Sequence, residues 1–123
     1  MASGKAIGEF SLKMITATII PGPAGSLLNQ VNWEGTGTGF GATFLTATFI
    51  GGGKDGTLTF CYASYLDNGE VINGGGQGTY ESSGKHKWRT VTVDQVSDGR
   101  RIRGEGEIDL AARTWKGKLF ELS

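Results

Sequence analysis

Short turn dipeptides punctuate this chain. Asn68-Gly69 and Asp98-Gly99, with Ser83-Gly84 as a weaker version, separate runs of eight to thirteen residues rich in β-branched and aromatic side chains. Asn-Gly and Asp-Gly accept the positive φ of a type I′ turn, so each joint reads as a hairpin between antiparallel neighbours. Asp55-Gly56 closes a glycine-rich loop in the same way, and Pro21-Gly22-Pro23 marks one longer connection, because two prolines interrupt any ladder. No stretch repeats apolar residues at helical spacing for three turns. The strands expected between these joints are Ile7 to Ile20, Leu28 to Thr38, Phe40 to Ile50, Thr57 to Leu66, Glu70 to Gly74 continuing through Gly78 to Glu81, Lys85 to Val96, Arg100 to Leu110, and Thr114 to Leu122.

Eight strands joined in sequence leave two exposed edges, and closing the sheet removes both. The expected fold is therefore all-β: a single antiparallel up-and-down β-barrel of about eight strands, forming one domain over residues 1–123. An open, strongly curled sheet is the alternative. The 22 glycines in 123 residues exceed the usual share of about 7%. They are interleaved with Thr, Val, Ile, Phe, Tyr and Trp rather than with Ser, Pro and Gln, which is the mixture of bends and tight turns in a folded β protein.

A two-residue loop at Asp98-Gly99 places Asp94 opposite Arg103, Thr92 opposite Glu105, and Val93 and Val91 opposite Gly104 and Gly106. The next hairpin then sets Asp109 opposite Lys116 and Glu107 opposite Lys118, and opposite charges favour such cross-strand pairs. Arg103, Glu105, Glu107, Asp109, Lys116 and Lys118 accordingly face solvent, while Val91, Val93, Ile102, Ile108, Leu110, Trp115 and Leu119 face inward. This solvated face also accounts for Glu105 and Glu107 without a catalytic acid and base.

The pair of strands within Phe40 to Leu66 has no polar face. Leu45, Ala47, Phe49, Leu58, Phe60, Tyr62 and Leu66 share one side; Phe40, Phe44, Ile50, Cys61, Ala63 and Tyr65 share the other. Side chains alternate along a strand, so one apolar face needs outside cover, and a homo-oligomer, most simply a dimer, is expected there. Parity carried from the charged end puts Phe44, Ile50, Cys61, Ala63, Tyr65 and Tyr80 inside and Leu45, Phe49, Phe60 and Tyr62 in the dimer contact. A bulge at Gly74-Gly75-Gly76 would swap the two faces.

Several function classes lose support. Twelve basic and twelve acidic residues sum to zero net charge, which offers no footprint for nucleic acid or an anionic membrane. No segment has the roughly 18 apolar residues of a membrane-spanning helix. Cys61 and His86 each stand alone, so neither a disulfide nor a cluster of metal ligands is expected, and no cofactor is implied. The unpaired thiol, with an opening MASGKAIGEF that lacks a signal-peptide apolar run, makes the cytoplasm the expected location. GTGTGFG at Gly35 to Gly41 and GGGQG at Gly74 to Gly78 neither follow a buried parallel strand nor open a helix, so they do not make a phosphate loop. His86 beside Lys85, Lys87, Trp88 and Arg89 forms a basic-aromatic cluster too small to define a nucleic-acid surface.

The lumen is the remaining place for chemistry. Arg89, Gln95 and Glu121 share parity with the expected interior, and a polar group there must be paired, wet or used by a ligand. The expected ligand-binding residues are Tyr65, Tyr80 and Trp115 for shape, with Arg89 or Glu121 as polar anchor, and the expected partner is a small hydrophobic molecule. A cofactor-free isomerase or cyclase in the same cavity, with Glu121 or Tyr80 shuttling a proton, is the second reading. A side-chain-filled barrel acting as a structural module is the third. No catalytic residue is assigned.

Three segments, NWEGTGTGFG at Asn32 to Gly41, GQGTYE at Gly76 to Glu81, and SDGRRIRGEGEIDLAARTWKGKLFEL at Ser97 to Leu122, resemble small bacterial proteins of the allene oxide cyclase-like, calycin-type barrels. The resemblance covers about a third of the chain and implies an eight-stranded barrel with a central cavity, often oligomeric, in a group that includes cyclases of small hydrophobic molecules. No catalytic residue of those enzymes matches a position here.

Overall fold

A computed structural model describes residues 4–122. Eight strands follow one another: β1 (Lys5–Pro21), β2 (Leu27–Gly37), β3 (Gly41–Gly51), β4 (Asp55–Tyr65), β5 (Val71–Gly84), β6 (Lys87–Val96), β7 (Arg101–Asp109) and β8 (Thr114–Leu122). Each pairs antiparallel with the next, and β8 pairs with β1, closing the up-and-down barrel. The Pro21-Gly22-Pro23 connection contains a single turn of 3₁₀ helix, Pro23–Gly25. Among the described residues no helix is long and apolar enough to cross a membrane.

The hairpin turns decide which side chains meet the lumen. At Asp98-Gly99 the Val96 N–H donates to the Arg100 carbonyl at 2.8 Å and the Gly99 N–H donates to the Val96 carbonyl at 2.9 Å. At Asn68-Gly69 the Leu66 N–H donates to the Glu70 carbonyl at 2.9 Å and the Gly69 N–H to the Leu66 carbonyl at 3.0 Å. Both loops therefore hold three residues. Only the glycine is left-handed in each, with φ of 93° at Gly69 and 100° at Gly99. A type I turn followed by a left-handed glycine has this form, and the Asx carboxylate or amide oxygen reinforces it by accepting the N–H two residues on.

One extra loop residue shifts the pairing by one and turns every side chain of the strand over. Two expectations are corrected on this ground, and a third register changes without turning its faces over. In β6, Val93 lies opposite Arg103 and Asp94 opposite Ile102, so Val91, Val93, Arg89 and Gln95 face outward while Thr90, Thr92, Asp94 and Val96 are buried. Val93 is 41% exposed. In β4, Cys61 rather than Tyr62 lies opposite Gly75, and Phe44, Ile50, Cys61 and Tyr65 are exposed. The faces of β3 and β4 are thus the reverse of those expected, and Leu45, Phe49, Phe60 and Tyr62 belong to the interior. In β8, Lys116 pairs with Glu107 and Lys118 with Glu105. That shift is two residues, which preserves the faces: Ile108 and Trp115 stay buried and the charged residues stay outside.

Two packed clusters fill the barrel. Trp33, Trp115, Leu12, Val31, Leu45, Ala47, Leu58, Tyr80 and Ile108 form the larger. Phe40, Val96 and Ile102 form the smaller, with Ile7, Ile72 and Leu119 packed on it. The latter closes the end at which β1 begins and β8 finishes.

Candidate lumen site

Where the two clusters meet, the barrel leaves a cavity of about 80 Å³. Leu12, Leu45, Ile102 and Leu119 supply aliphatic wall, and Phe10, Phe40, Phe60, Tyr62 and Trp115 supply aromatic rings. Three polar features interrupt it. Thr43 and Ser64 share a hydrogen bond at 2.7 Å and satisfy each other. Thr92 presents its hydroxyl from β6. Asp94, on the same strand and 8% exposed, is the only charged residue on the wall among the described residues.

The turn geometry explains why a carboxylate sits there. Val96 is fixed inward by the three-residue loop, and Asp94 follows it at the two-residue period of a strand. Tyr62 reaches it from β4, where its hydroxyl donates to Asp94 Oδ2 at 2.7 Å. Gly74 makes room for that contact, since a Cβ there would lie 2.5 Å from the Tyr62 hydroxyl oxygen and 2.8 Å from the Gln95 carbonyl. Asp94 Oδ1 takes no hydrogen bond from the described residues, and the residue lies on the cavity wall.

Burial raises the Asp94 pKa from 3.8 to about 6, with the Tyr62 hydrogen bond and the charge of Arg100 offsetting part of the rise. Burial, followed by the hydrogen bond to Asp94 and its charge, pushes the Tyr62 phenol well above its ordinary range. Arg100 lies over the ring of Phe40, its guanidinium 4.9 Å from the ring centre and 2.9 Å from Asp98. The pair can thus hold a hydrogen-bond donor, and a carboxylate with a pKa near neutrality can also accept a proton from one. Among the described residues, no group of three His, Cys, Asp or Glu is placed to hold a metal ion.

Of the five residues expected to bind a ligand, Trp115 alone lines this cavity, where its indole N–H donates to Thr90 Oγ1 at 3.0 Å. Tyr80 is buried but packs against Phe49 in the larger cluster, with ring centres 5.6 Å apart. Tyr65 is on the outer surface, edge-on to Phe44 at 6.1 Å. Arg89 is also outside, paired with Glu81 at 3.1 Å. Glu121 keeps inward parity at the end of β8, opposite Ile102, but does not reach the cavity wall. Asp94 and Tyr62, the polar core of the site, were not among the expected ligands. The available signal was Asp94 itself, a lone carboxylate within the β-branched run VTVDQV.

The chain matches no protein-family model, no curated protein and no solved structure.

Proposed function

We propose that this barrel binds a small, largely apolar molecule in its lumen, with Asp94 and Tyr62 holding the ligand's one polar group. One observation carries this reading: Asp94, only 8% exposed and with one carboxylate oxygen unpartnered among the described residues, lines an otherwise uncharged cavity. Burying a charge costs stability unless something pairs with it, and such a cost is typically kept where function needs the group. The cavity limits the ligand. Its 80 Å³ is the space of roughly two or three waters, well below the roughly 300 Å³ at which drug-sized pockets begin. A ligand of roughly four or five heavy atoms is the right scale. The resemblance to allene oxide cyclase-like barrels rests on strand and turn chemistry and adds no residue to this site. A titration with tert-butanol, followed through backbone amide shifts, is expected to move Tyr62, Thr92, Asp94 and Ile102. Shifts confined to the outer face, at Phe44 and Tyr65, would overturn the proposal.

The chain is further inferred to form a homodimer through the outer face of β2 to β5. That face carries Phe44, Tyr65 and Val71, at 51%, 49% and 56% exposure. Its β3 and β4 rows hold no acidic or basic residue between Ala42 and Ile50 or between Thr57 and Tyr65. A second copy is the fitting occupant, because the uncharged β3 and β4 rows, with Phe44, Ile50 and Tyr65 set among threonines and Glu34 on β2 at the rim, offer more to their own copy than to a charged partner. Four strands at about 4.8 Å spacing, with β3 and β4 eleven residues long, span roughly 600 Å². A standard interface buries about 800 Å² per partner. Light scattering at tens of micromolar is expected to give twice the 13.0 kDa chain mass, falling to the monomer mass in a Phe44→Glu/Tyr65→Glu double variant. A wild-type monomer at that concentration would exclude the dimer.

A further inference from the structure

We infer that the lumen selects a small alkylammonium ion, an inference that rests on reading the cavity as a ligand site. The charge balance of the wall is the starting point. Among the described residues Asp94 is the single charged one lining the cavity, and no lysine, arginine or histidine among them lines it. Arg100, the cation whose charge acts on Asp94, is itself paired with Asp98 at 2.9 Å and held over the Phe40 ring. Tyr62 supplies a neutral hydroxyl to Oδ2 and no charge. The carboxylate therefore meets the cavity with its negative charge only partly offset by Arg100 and with Oδ1 taking no hydrogen bond from the described residues.

The rest of the wall agrees with a cation carrying methyl groups. Five aromatic residues line the same 80 Å³, and aromatic faces attract alkylammonium ions while the methyls fill apolar space. Thr43 and Ser64 are occupied with each other, so few donors remain to satisfy an anion, which Asp94 would also repel. A neutral alcohol satisfies Oδ1 but leaves the charge unmatched. A protonated amine satisfies both, through a charge-assisted hydrogen bond of the stronger kind.

Three probes of about four or five heavy atoms separate these possibilities: trimethylammonium chloride, tert-butanol and sodium acetate, titrated at matched ionic strength and pH 7.5. Binding is followed by the amide shifts of Thr92 to Val96. In the wild-type protein trimethylammonium is expected to bind at least about tenfold more tightly than tert-butanol, the advantage of a charge-assisted contact over a neutral one, and acetate is expected not to bind. Asp94→Asn should erase the difference between cation and alcohol. Tyr62→Phe, which keeps the carboxylate, should preserve the preference for the cation. Equal affinity for tert-butanol and trimethylammonium in the wild type would overturn the ammonium assignment while leaving lumen binding intact. Failure of all three probes to shift lumen amides in a folded protein would overturn both.

Discussion

Trp115→Ala is expected to destabilise the protein by about 3 to 5 kcal/mol, the range for removing a fully packed tryptophan. The indole is 3% exposed and sits among three other rings, with centres 6.0 Å from Phe10, 5.3 Å from Trp33 and 6.0 Å from Phe49. No neighbouring strand can close the gap without breaking the ladders on either side of β8. The variant also strips Thr90 Oγ1 of the indole donor, and Thr90 is itself buried. An orphaned buried hydroxyl adds to the cavity cost. Urea unfolding of the two proteins measures the difference. A loss below about 1 kcal/mol would mean that the ring is not part of the core.

Asp94→Asn is expected to act in the opposite direction, stabilising the protein at neutral pH. The carboxyl group titrates at 3.8 when unfolded and at about 6 when folded. Below both values it is protonated in either state and contributes no pH dependence. Between them the unfolded chain has released a proton that the folded chain keeps, so stability falls as pH rises through this window. At about 1.4 kcal/mol for each pKa unit, the loss from Asp94 amounts to about 3 kcal/mol and is complete a little above pH 6. Asparagine keeps an oxygen to accept the Tyr62 hydroxyl and never ionises. The variant should therefore gain up to about 3 kcal/mol at pH 7, gain little at pH 4, and lose the slope between. Chemical unfolding at pH 4, 5, 6 and 7 tests this. A variant no more stable than the wild type at pH 7, or with the same slope, would show that the carboxylate is well solvated.

A stabilising change at a buried position explains why the site was hard to read from the chain. The strands, their order and the closed barrel follow from β-rich runs and turn dipeptides, and the inward parity of Ile102, Ile108 and Trp115 was readable because charges alternate with them on β7 and β8. The faces of β4 and β6 were not. Asp-Gly and Asn-Gly suit both a two-residue I′ loop and a three-residue loop ending in a left-handed glycine, and only the ladder hydrogen bonds distinguish them. In β6 the alternation of VTVDQV favours valines inside and the acid outside, whereas Val93 is out and Asp94 in. Hydrophobic patterning fails where a polar group is held inside against its solvation, and such failures concentrate at functional or strained positions. The same one-residue ambiguity at Asn68-Gly69 puts Tyr65 on the surface and Tyr62 inside, so neither half of the pair carries an inward signal in the sequence.

Whether a ligand enters the lumen beside Asp94 is settled most directly by intermolecular nuclear Overhauser effects to a bound probe. With trimethylammonium at saturating concentration, cross-peaks from its methyl protons are expected to the methyl groups of Leu12, Leu45, Ile102 and Leu119, which surround the cavity. Cross-peaks only to the outer residues Phe44, Tyr65 and Ile15, or none at all from this probe and from tert-butanol, would contradict a ligand site inside the barrel.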